Sequence, residues 1–378
     1  MINNLEQANK NDNDLEKNLI AIADRFSAEN PAIRIQQYGS GNINSTFLVT
    51  RQVEPPFILQ RINTTVFCQP KLVMSNICLL SDYVSQRLKT IDLPADRRWE
   101  IPQVLFTSQQ QNHWIDSDNS FWRAISFIDN SQSFDTIQDI HHGQEIGYGL
   151  GMFHNLIEDM PADKLADTLE GFHITPGYLQ HYQQVQATTE VKPSPEVNYC
   201  QKFISDRPDL PYILESAKAS GKLKLRTIHG DPKINNIMID CSNKQAVATI
   251  DLDTVKPGLI HYDIGDCLRS GCNPLGEETQ NWEKVIFEPE LAQAILRGYL
   301  SVAKNFLTDL DYKYIYDSIR LLAFELGLRF FTDYLEGNVY FGAKSTNHNL
   351  QRALVQFKLT ESIETQSAAI AQIVEDLP

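Results

Sequence analysis

One segment of the chain, TIHGDPKINNIMIDCSNKQAVATIDLDTV at 227–255, constrains the fold more than any other. A polar loop leads through Asn236 into a short apolar run, a polar turn and a second apolar run that ends at Asp251. Short apolar runs bounded by turn residues are typical of strands, and two joined by a short turn form a hairpin. We expect the hairpin to return Asp251 to the neighbourhood of Asn236, where a carboxylate and an amide oxygen can bind one cation.

The loop ahead of this hairpin carries the spacing His-x-Asp-x-x-x-x-Asn, at His229, Asp231 and Asn236. Phosphoryl transfer needs a group that orients the acceptor hydroxyl and takes its proton, and cations that bridge the phosphates. The pattern therefore predicts Asp231 as the catalytic base and Asn236 with Asp251 as Mg²⁺ ligands. The alternative is that the two aspartates are ordinary turn residues and that Asn236 caps the start of a strand.

Two other residues of the loop have more than one interpretation. Lys233 follows Asp231 by two residues and is predicted to have a catalytic role, stabilising the transferring γ-phosphoryl group as a point charge. A solvated loop lysine is the alternative. His229 is predicted to anchor the loop structurally and not to take part in the reaction.

The order of elements changes along the chain from strands to helices. Residues 30–130 contain most of the predicted strands, whereas 131–378 contain most of the predicted helices. This order predicts an α+β fold with two lobes, a small β-rich N-lobe that binds nucleotide and a larger, mainly helical C-lobe for catalysis and acceptor binding. Residues 1–29 are predicted to be a polar extension and a first helix.

The N-lobe offers a candidate phosphate loop, GSGNINS, between two predicted strands. Such a turn can place backbone N–H groups and small polar side chains over the phosphates of ATP. A plain hairpin turn explains it equally well in isolation. The predicted nucleotide-binding residues of this turn are Gly39, Gly41, Asn42, Asn44 and Ser45. The adenine is predicted to lie against a hinge near Phe127 and Asp129.

Composition excludes several classes of partner. The chain has 33 Lys and Arg against 48 Asp and Glu, a net charge of −15, which disfavours nucleic acid. No run approaches the length of a membrane-spanning helix. The polar N-terminal stretch and the six scattered cysteines predict a cytoplasmic protein with reduced thiols. The acidity fits solubility, or a negative field that attracts cationic substrates.

The motif HGDPKINN, followed by IDLDTVKPGLIHYDIGDCLRS, resembles the aminoglycoside phosphotransferase and choline kinase superfamily. The segments YGSGNINSTFLV, FILQRIN, GFHITP and ELGLRFFTDYLEGNVYF are similar to the N-acetylhexosamine 1-kinase group. The resemblance covers about residues 30–365. It implies a protein-kinase-like, two-lobed fold, ATP and Mg²⁺, and a small-molecule acceptor. The loop motif is specific to the kinase-like superfamily, whereas the other segments point to sugar kinases.

The resemblance also implies roles for residues outside the loop. Asp263 would brace the catalytic loop. Asp253 departs from the protein-kinase pattern, since it replaces the Gly of Asp-Phe-Gly, and it would support metal binding or cap a turn. The residues that would bind the acceptor are His173, Arg329 and Tyr340. For Arg329 the alternative is an ion pair with Glu325, four residues earlier on a helix. For Tyr340 it is a packed aromatic ring.

One departure from protein kinases concerns the third strand, where those enzymes hold a phosphate-anchoring Lys paired with a Glu on the next helix. Here the position is Gln60 or Arg61, depending on the strand register, and the helix at 71–77 offers no Glu. One of these two residues is therefore the predicted phosphate anchor.

Three hypotheses follow for the activity. The first is a kinase for a sugar hydroxyl, foremost the anomeric hydroxyl of an N-acetylhexosamine. The second keeps the enzyme but changes the acceptor to an amino alcohol such as choline or homoserine, or to an aminoglycoside. Arg329 in the pocket would oppose such a cation. The third is a nucleotide-binding pseudokinase that acts as an interaction module, which only the missing Lys–Glu pair supports.

Overall fold

The computed structural model describes residues 16–27, 30–39 and 43–377. The chain divides into two compact units. The first runs to residue 82 and includes 101–129, and the second takes 83–100 and all that follows residue 129. The functional division into a nucleotide-binding and a catalytic lobe stays a prediction.

The first unit is built on one antiparallel sheet. Its six strands are β1 (Ala32–Gln37), β2 (Ser45–Arg51), β3 (Phe57–Ile62), β4 (Val104–Leu105), β5 (Trp114–Ile115) and β6 (Phe121–Ser126). They pair in the order β1-β2-β3-β6-β4, and β5 also pairs with β6. Helix α1 covers residues 16–23, and α2 (Pro70–Leu88) runs on past the boundary at residue 82.

One face of this sheet forms the core of the first unit, because side chains alternate between the two faces along a strand. On β3, Phe57 and Leu59 are buried in the same cluster as Leu19 and Ile22 of α1. Gln60 follows Leu59 directly and therefore points to the opposite face. The register thus separates the two candidate anchors, Gln60 and Arg61, onto different faces of the sheet.

The second unit is mainly helical. Its helices are α3 (Ile140–Ile157), α4 (Thr175–Thr188), α5 (Pro195–Ser205), α6 (Ile213–Ala219), α7 (Ile260–Gly271), α8 (Pro289–Ala303), α9 (Asp309–Lys313), α10 (Ile315–Leu335), α11 (His348–Thr365) and α12 (Ser367–Glu375). A large apolar cluster joins α4, α5, α10 and α11. The predicted α+β class, β-rich first and mostly helical afterwards, is confirmed.

Five short strands of the second unit frame the loop at 229–236. They are β7 (Ser131–Gln132), β8 (Leu225–Ile228), β9 (Ile237–Asp240), β10 (Ala246–Thr249) and β11 (Lys256–Leu259). One sheet has the order β10-β9-β7, and β8 pairs with β11 in another. The loop leaves β8 and enters β9, so a sheet fixes each of its ends. The hairpin predicted from the sequence is present as β9 and β10.

Helices α3 and α8 approach closely because glycines stand at their contact. A Cβ atom at Gly147 would lie 1.8 Å from the backbone oxygen of Ile295, and one at Gly298 would lie 1.9 Å from that of Gln144. No side chain fits at such distances, so the helices keep this spacing only with glycine at both positions. The pair carries His154, whose Nε2 lies 2.8 Å from the carboxylate of Asp263 on α7.

No helix within the described part of the chain combines the length and the apolar character needed to cross a membrane.

We expect Gly147→Ala to lower the free energy of unfolding by about 3 kcal/mol, because the new methyl group must push α8 away. Gly177→Ala on α4 is the matched control, since a Cβ there meets nothing within 4 Å. It should change stability by less than about 1 kcal/mol, in the stabilising direction. Urea unfolding followed by circular dichroism measures both. Equal midpoints for the two variants would contradict the close helix packing.

Candidate active site

The β9–β10 hairpin brings Asn236 and Asp251 together. The backbone N–H of Ile250 donates to the carbonyl oxygen of Asn236 at 2.8 Å. Asp251 is the residue after Ile250, so its backbone lies close to Asn236. Asp251 has φ 62° and ψ 57°, in the left-handed region. This conformation is uncommon outside glycine, and such outliers cluster at functional sites.

The side chain of Asn236 is oriented by the loop itself. Its Nδ2 donates to the backbone oxygen of Asp231 at 2.7 Å, which leaves the amide oxygen available as a ligand. An amide oxygen with the carboxylate of Asp251 suits Mg²⁺, which binds few protein oxygens and completes its shell with phosphate and water. Among the described residues no group of three or more His, Cys, Asp or Glu could hold a metal alone. The two residues therefore fit a metal shared with a nucleotide.

His229 ties Asp231 to the hairpin. Its Nε2 donates to the carbonyl oxygen of Ile250 at 2.9 Å, and its Nδ1 accepts from the backbone N–H of Asp231 at 3.2 Å. One nitrogen donates and the other accepts, so a neutral ring satisfies both bonds. Burial lowers the pKa of His229 and keeps the ring neutral. This geometry supports the predicted structural role of His229.

Asp263, on α7, holds the same loop from another side. Its two carboxylate oxygens accept from the backbone N–H groups of His229 and Gly230, at 2.7 and 2.9 Å. His154 Nε2 also lies 2.8 Å from the carboxylate, and Tyr299 lies 3.0 Å from the other nitrogen of that ring. Burial acts to raise the pKa of Asp263, but the hydrogen bond and the charge of His154 outweigh it and hold that pKa below its usual value.

The backbone between the two braces allows only glycine. Gly230 has φ 89°, and a Cβ there would lie 2.6 Å from the carbonyl oxygen of Thr254. Thr254 itself donates through Oγ1 to the carbonyl oxygen of His229 at 2.9 Å. Asp253, the neighbouring residue, is 3% exposed, and its backbone oxygen accepts from Thr168. The predicted metal-supporting role of Asp253 stays a prediction.

Asp231 and Lys233 form a close pair within the loop. The Lys233 Nζ lies 3.5 Å from Asp231 Oδ2, and the two side chains are 36% and 30% exposed. Burial raises the pKa of Asp231 to about 7, against the lowering effect of the Lys233 charge. The Asp231 carboxylate in turn raises the pKa of Lys233. A carboxyl group with a pKa near neutrality is matched to accepting a proton at physiological pH.

Arg329, on α10, lies among aromatic rings. Its guanidinium carbon is 4.9 Å from the ring centroid of Tyr178, 5.1 Å from Phe172, 5.2 Å from Phe341 and 5.9 Å from Tyr340. The alternative ion pair with Glu325 is not formed. Within the described chain, no carboxylate comes within ion-pair distance of this guanidinium. Burial acts to lower the pKa of Arg329, but neighbouring groups, Asp231 among them, raise it. A cation packed on aromatic rings suits a polar, uncharged or anionic ligand.

Two other residues predicted to bind the acceptor differ in exposure. Tyr340 is 41% exposed, and its backbone N–H donates to Asp333 at 2.7 Å, which fixes the chain that carries the ring. His173 is buried and both ring nitrogens are engaged, one with Gly230 and one with Glu325. It therefore has no polar atom left for the direct acceptor contact that the sequence predicts.

The predicted phosphate turn belongs to the first unit. Gly41 and Asn42 lie outside the described residues. Gly39 has φ 73°, and a Cβ there would meet nothing within 4 Å. Asn44 accepts through Oδ1 from the backbone N–H of Asn63 at 2.9 Å. Phosphate binding by this turn stays a prediction.

The third strand places its two candidate anchors in different surroundings. Gln60 donates to Thr46 Oγ1 at 3.0 Å and accepts from Arg123 Nε at 2.8 Å. Arg61 donates to Ser45 Oγ at 3.3 Å and is exposed. Arg123 is 1% exposed, so a buried cation stands beside Gln60 on the neighbouring strand.

The two predicted hinge residues lie at the end of the first unit. The ring of Phe127 packs edge-on against Tyr38, with ring centroids 5.7 Å apart. Asp129 is the last residue of that unit. Contact with an adenine stays a prediction for both.

Sequence reasoning missed two residues that the structure ties to the predicted ones: His154, which contacts Asp263, and Arg123, which donates to Gln60. His154 carried a signal, since it lies on a helix whose face includes Leu150 and Phe153, and a polar ring in such a place needs a partner. Arg123 lies inside an apolar strand, where the same argument holds.

Comparison with known proteins gives a family and a fold. Residues 34–310 match the phosphotransferase enzyme family. A microcompartment-associated aminopropanol kinase has a similar structure, with TM-score 0.61 and 16% identity, covering 90% of this chain and 94% of its own. An aminoglycoside phosphotransferase from Alicyclobacillus acidocaldarius gives 0.54 and 18%, covering 92% and 94%. Amicoumacin kinase, in complex with AMP-PNP and Ca²⁺, gives 0.56 and 14%, covering 88% of each chain.

We expect Asp263→Asn to destabilise the protein by about 3 kcal/mol at pH 7, because an amide cannot accept from both backbone N–H groups and from His154. Since the pKa of Asp263 is depressed, this loss should be full above the ordinary carboxyl pKa. It should shrink as the pH falls through the folded value. Asp206→Asn, at a side chain 50% exposed, should cost under about 0.5 kcal/mol. Denaturant midpoints from pH 7 down to about pH 2 measure both, and a loss that does not shrink below the ordinary carboxyl pKa would contradict the bracing role.

Proposed function

Because the chain belongs to the phosphotransferase enzyme family, a small-molecule kinase by class, we propose that it transfers the γ-phosphoryl group of ATP to a hydroxyl of a small acceptor with Mg²⁺. One observation carries this proposal. His229 joins the Asp231 backbone to Ile250, and Asn236 donates to the carbonyl of Asp231. Hydrogen bonds therefore link the proposed proton acceptor, Asp231, to the proposed metal ligand Asn236. Through His229 they also link it to Ile250, which directly precedes the second proposed ligand, Asp251.

The proton of the acceptor hydroxyl would pass to Asp231. A carboxyl group whose pKa lies near 7 can take up a proton during the reaction and lose it again at neutral pH. Lys233, 3.5 Å away, places a positive charge beside the group that becomes neutral and near the transferring phosphoryl. This carboxylate would also orient the hydroxyl, and orientation alone accounts for a large share of such catalysis.

Asn236 and Asp251 would hold Mg²⁺ through one amide and one carboxylate oxygen. A bound Mg²⁺ supplies positive charge that neutralises the β- and γ-phosphates. The protein's part is to keep the two oxygens in place, and the pairing of Ile250 with Asn236 does so. A site with only two protein oxygens suits a metal ion that keeps water and phosphate as its remaining ligands.

For the acceptor, we propose a sugar, foremost the anomeric hydroxyl of an N-acetylhexosamine. The support is the group of aromatic rings around Arg329. A guanidinium donates hydrogen bonds to hydroxyl and carbonyl oxygens, and aromatic rings such as Tyr340 pack on the C–H faces of a sugar ring. A choline-like or aminoglycoside acceptor would bring its cation against Arg329, and the repulsion disfavours it.

Turnover on a substrate panel tests the activity. With ATP and Mg²⁺, ADP release should follow N-acetylhexosamines, and Asp231→Asn should lower kcat by about 10²–10⁴ because the proton acceptor is lost. Asp206→Asn, far from the loop in sequence and exposed, should leave it unchanged. Turnover of amino alcohols instead of sugars would refute the acceptor. ATP binding without any turnover would instead favour a pseudokinase.

The role of Arg329 can be tested separately. Arg329→Gln should raise KM for the sugar by about 10- to 100-fold while kcat changes less, since the lost hydrogen bonds act on binding. Arg297→Gln, at an exposed arginine of α8, is the control and should change neither constant. An unchanged KM, or better use of a cationic acceptor by wild type than by Arg329→Gln, would contradict the assignment.

A further inference from the structure

His173 has an unusual backbone for its residue type. Its φ is 65°, in the left-handed region, which residues other than glycine adopt only with strain. It lies just before α4, in a short turn after Gly171, which has φ 78°. Strain of this kind persists only where the surroundings hold the residue in place. The contacts of the side chain show what does so.

The ring of His173 bridges two distant parts of the second unit. Its Nε2 lies 2.6 Å from the carbonyl oxygen of Gly230, and its Nδ1 lies 2.8 Å from Glu325 Oε1. The other oxygen of Glu325 accepts from Thr175 Oγ1 at 2.6 Å. The side chains of His173 and Glu325 are 4% and 2% exposed, so water does not compete for these bonds.

The chemistry of the two partners fixes the protonation of the ring. A backbone carbonyl oxygen can only accept a hydrogen bond, and an ionised carboxylate can only accept as well. Both ring nitrogens of His173 must then donate, which only the imidazolium does. A neutral pair, with the proton on Glu325, is disfavoured because the charge of Arg329 on the same helix favours the carboxylate.

The other groups around His173 agree with a charged ring. Burial acts to lower its pKa, but the Glu325 carboxylate and the two hydrogen bonds outweigh it and raise the pKa. Burial likewise acts to raise the pKa of Glu325, but His173 outweighs it and lowers that pKa. The titratable and charged groups that face the ring from the surrounding helices are Glu325 and Arg329 of α10, Asp266 and Tyr262 of α7, and Tyr178 of α4.

We propose that His173, held as an imidazolium, is a positioning residue that fixes the Gly230 carbonyl against Glu325 and so sets the base relative to the acceptor pocket. Asp231 follows Gly230 directly, and Arg329 lies one helical turn beyond Glu325 on α10. The His173 bridge therefore connects the proposed base, Asp231, with the proposed acceptor-binding residue, Arg329. The catalytic effect of this bridge rests on the proposed function, whereas the positive charge of the His173 ring does not depend on it.

The protonation state of His173 can be measured without any acceptor substrate. In protein labelled with ¹⁵N-histidine, the His173 signals are identified by their loss in His173→Gln, and both nitrogens should show the imidazolium shifts at pH 7. Glu325→Gln should move the titration of this ring to lower pH, because the anionic partner is gone. A neutral ring at pH 7 in the wild type would overturn the proposal.

Stability should depend on pH in the same sense. Because the folded pKa of His173 is raised, the stability that its charge contributes is full below the ordinary pKa near 6.5 and is lost as pH rises through the folded value. The difference in melting temperature between wild type and His173→Gln should therefore narrow at high pH. His181→Gln, at a histidine 51% exposed, should show no such trend.

Turnover with ATP, Mg²⁺ and N-acetylglucosamine tests the catalytic consequence. The wild type should lose kcat on the alkaline side as His173 loses its proton. His173→Gln, whose amide can still donate to Gly230, should have kcat about 10- to 100-fold lower and lack that limb. Glu325→Gln should shift the limb to lower pH, and a His173→Gln profile equal to wild type would overturn the positioning role. Absence of wild-type turnover on every acceptor would refute the proposed function, while the nitrogen spectra would still decide the bridge.

Discussion

The arrangement of the site depends on one buried carboxylate. Asp263 accepts from two consecutive backbone N–H groups and contacts His154, with none of its side chain exposed. A buried anion is stable only when its oxygens are fully bonded. The loop must therefore keep its N–H groups turned towards α7, and that requirement determines where Asp231 leaves the loop. Helix packing also helps to position Asp263, because His154, which contacts its carboxylate, lies on α3, and α3 packs tightly against α8.

Three residues around the loop hold left-handed backbone conformations. Gly230 and Asp251 have φ of 89° and 62°, and His173 has 65°. Only the first is a glycine, so the other two lie in a costly conformation that their contacts must offset. Each makes a turn in a segment that bears one predicted function: the base, the metal ligand and the bridge to the acceptor pocket. Two of the seven non-glycine residues that have a positive φ in the described part of the chain therefore belong to these segments.

Local patterns made the fold class and the hairpin predictable, because the hairpin strands are neighbours in sequence and their apolar runs are distinct. Contacts between distant residues carried no such signal. His154 and Asp263 are 109 residues apart, and His173 and Glu325 are 152 apart. The alternative considered for Arg329, an ion pair with Glu325, is not formed for the same reason. Spacing on a helix shows which residues can meet, but a distant histidine already occupies that carboxylate.

The row Thr46, Gln60 and Arg123 crosses three neighbouring strands through side-chain hydrogen bonds. Protein kinases hold a lysine on the third strand, whereas that strand here carries the neutral amide of Gln60, which accepts from the buried guanidinium of Arg123 on β6. A lysine at position 60 would set an ammonium group against the buried guanidinium of Arg123 and lose the bond to its Nε. The residue that position 60 can accept thus depends on the residue at position 123. A lysine at position 60 would therefore be compatible with this sheet only if Arg123 were replaced at the same time.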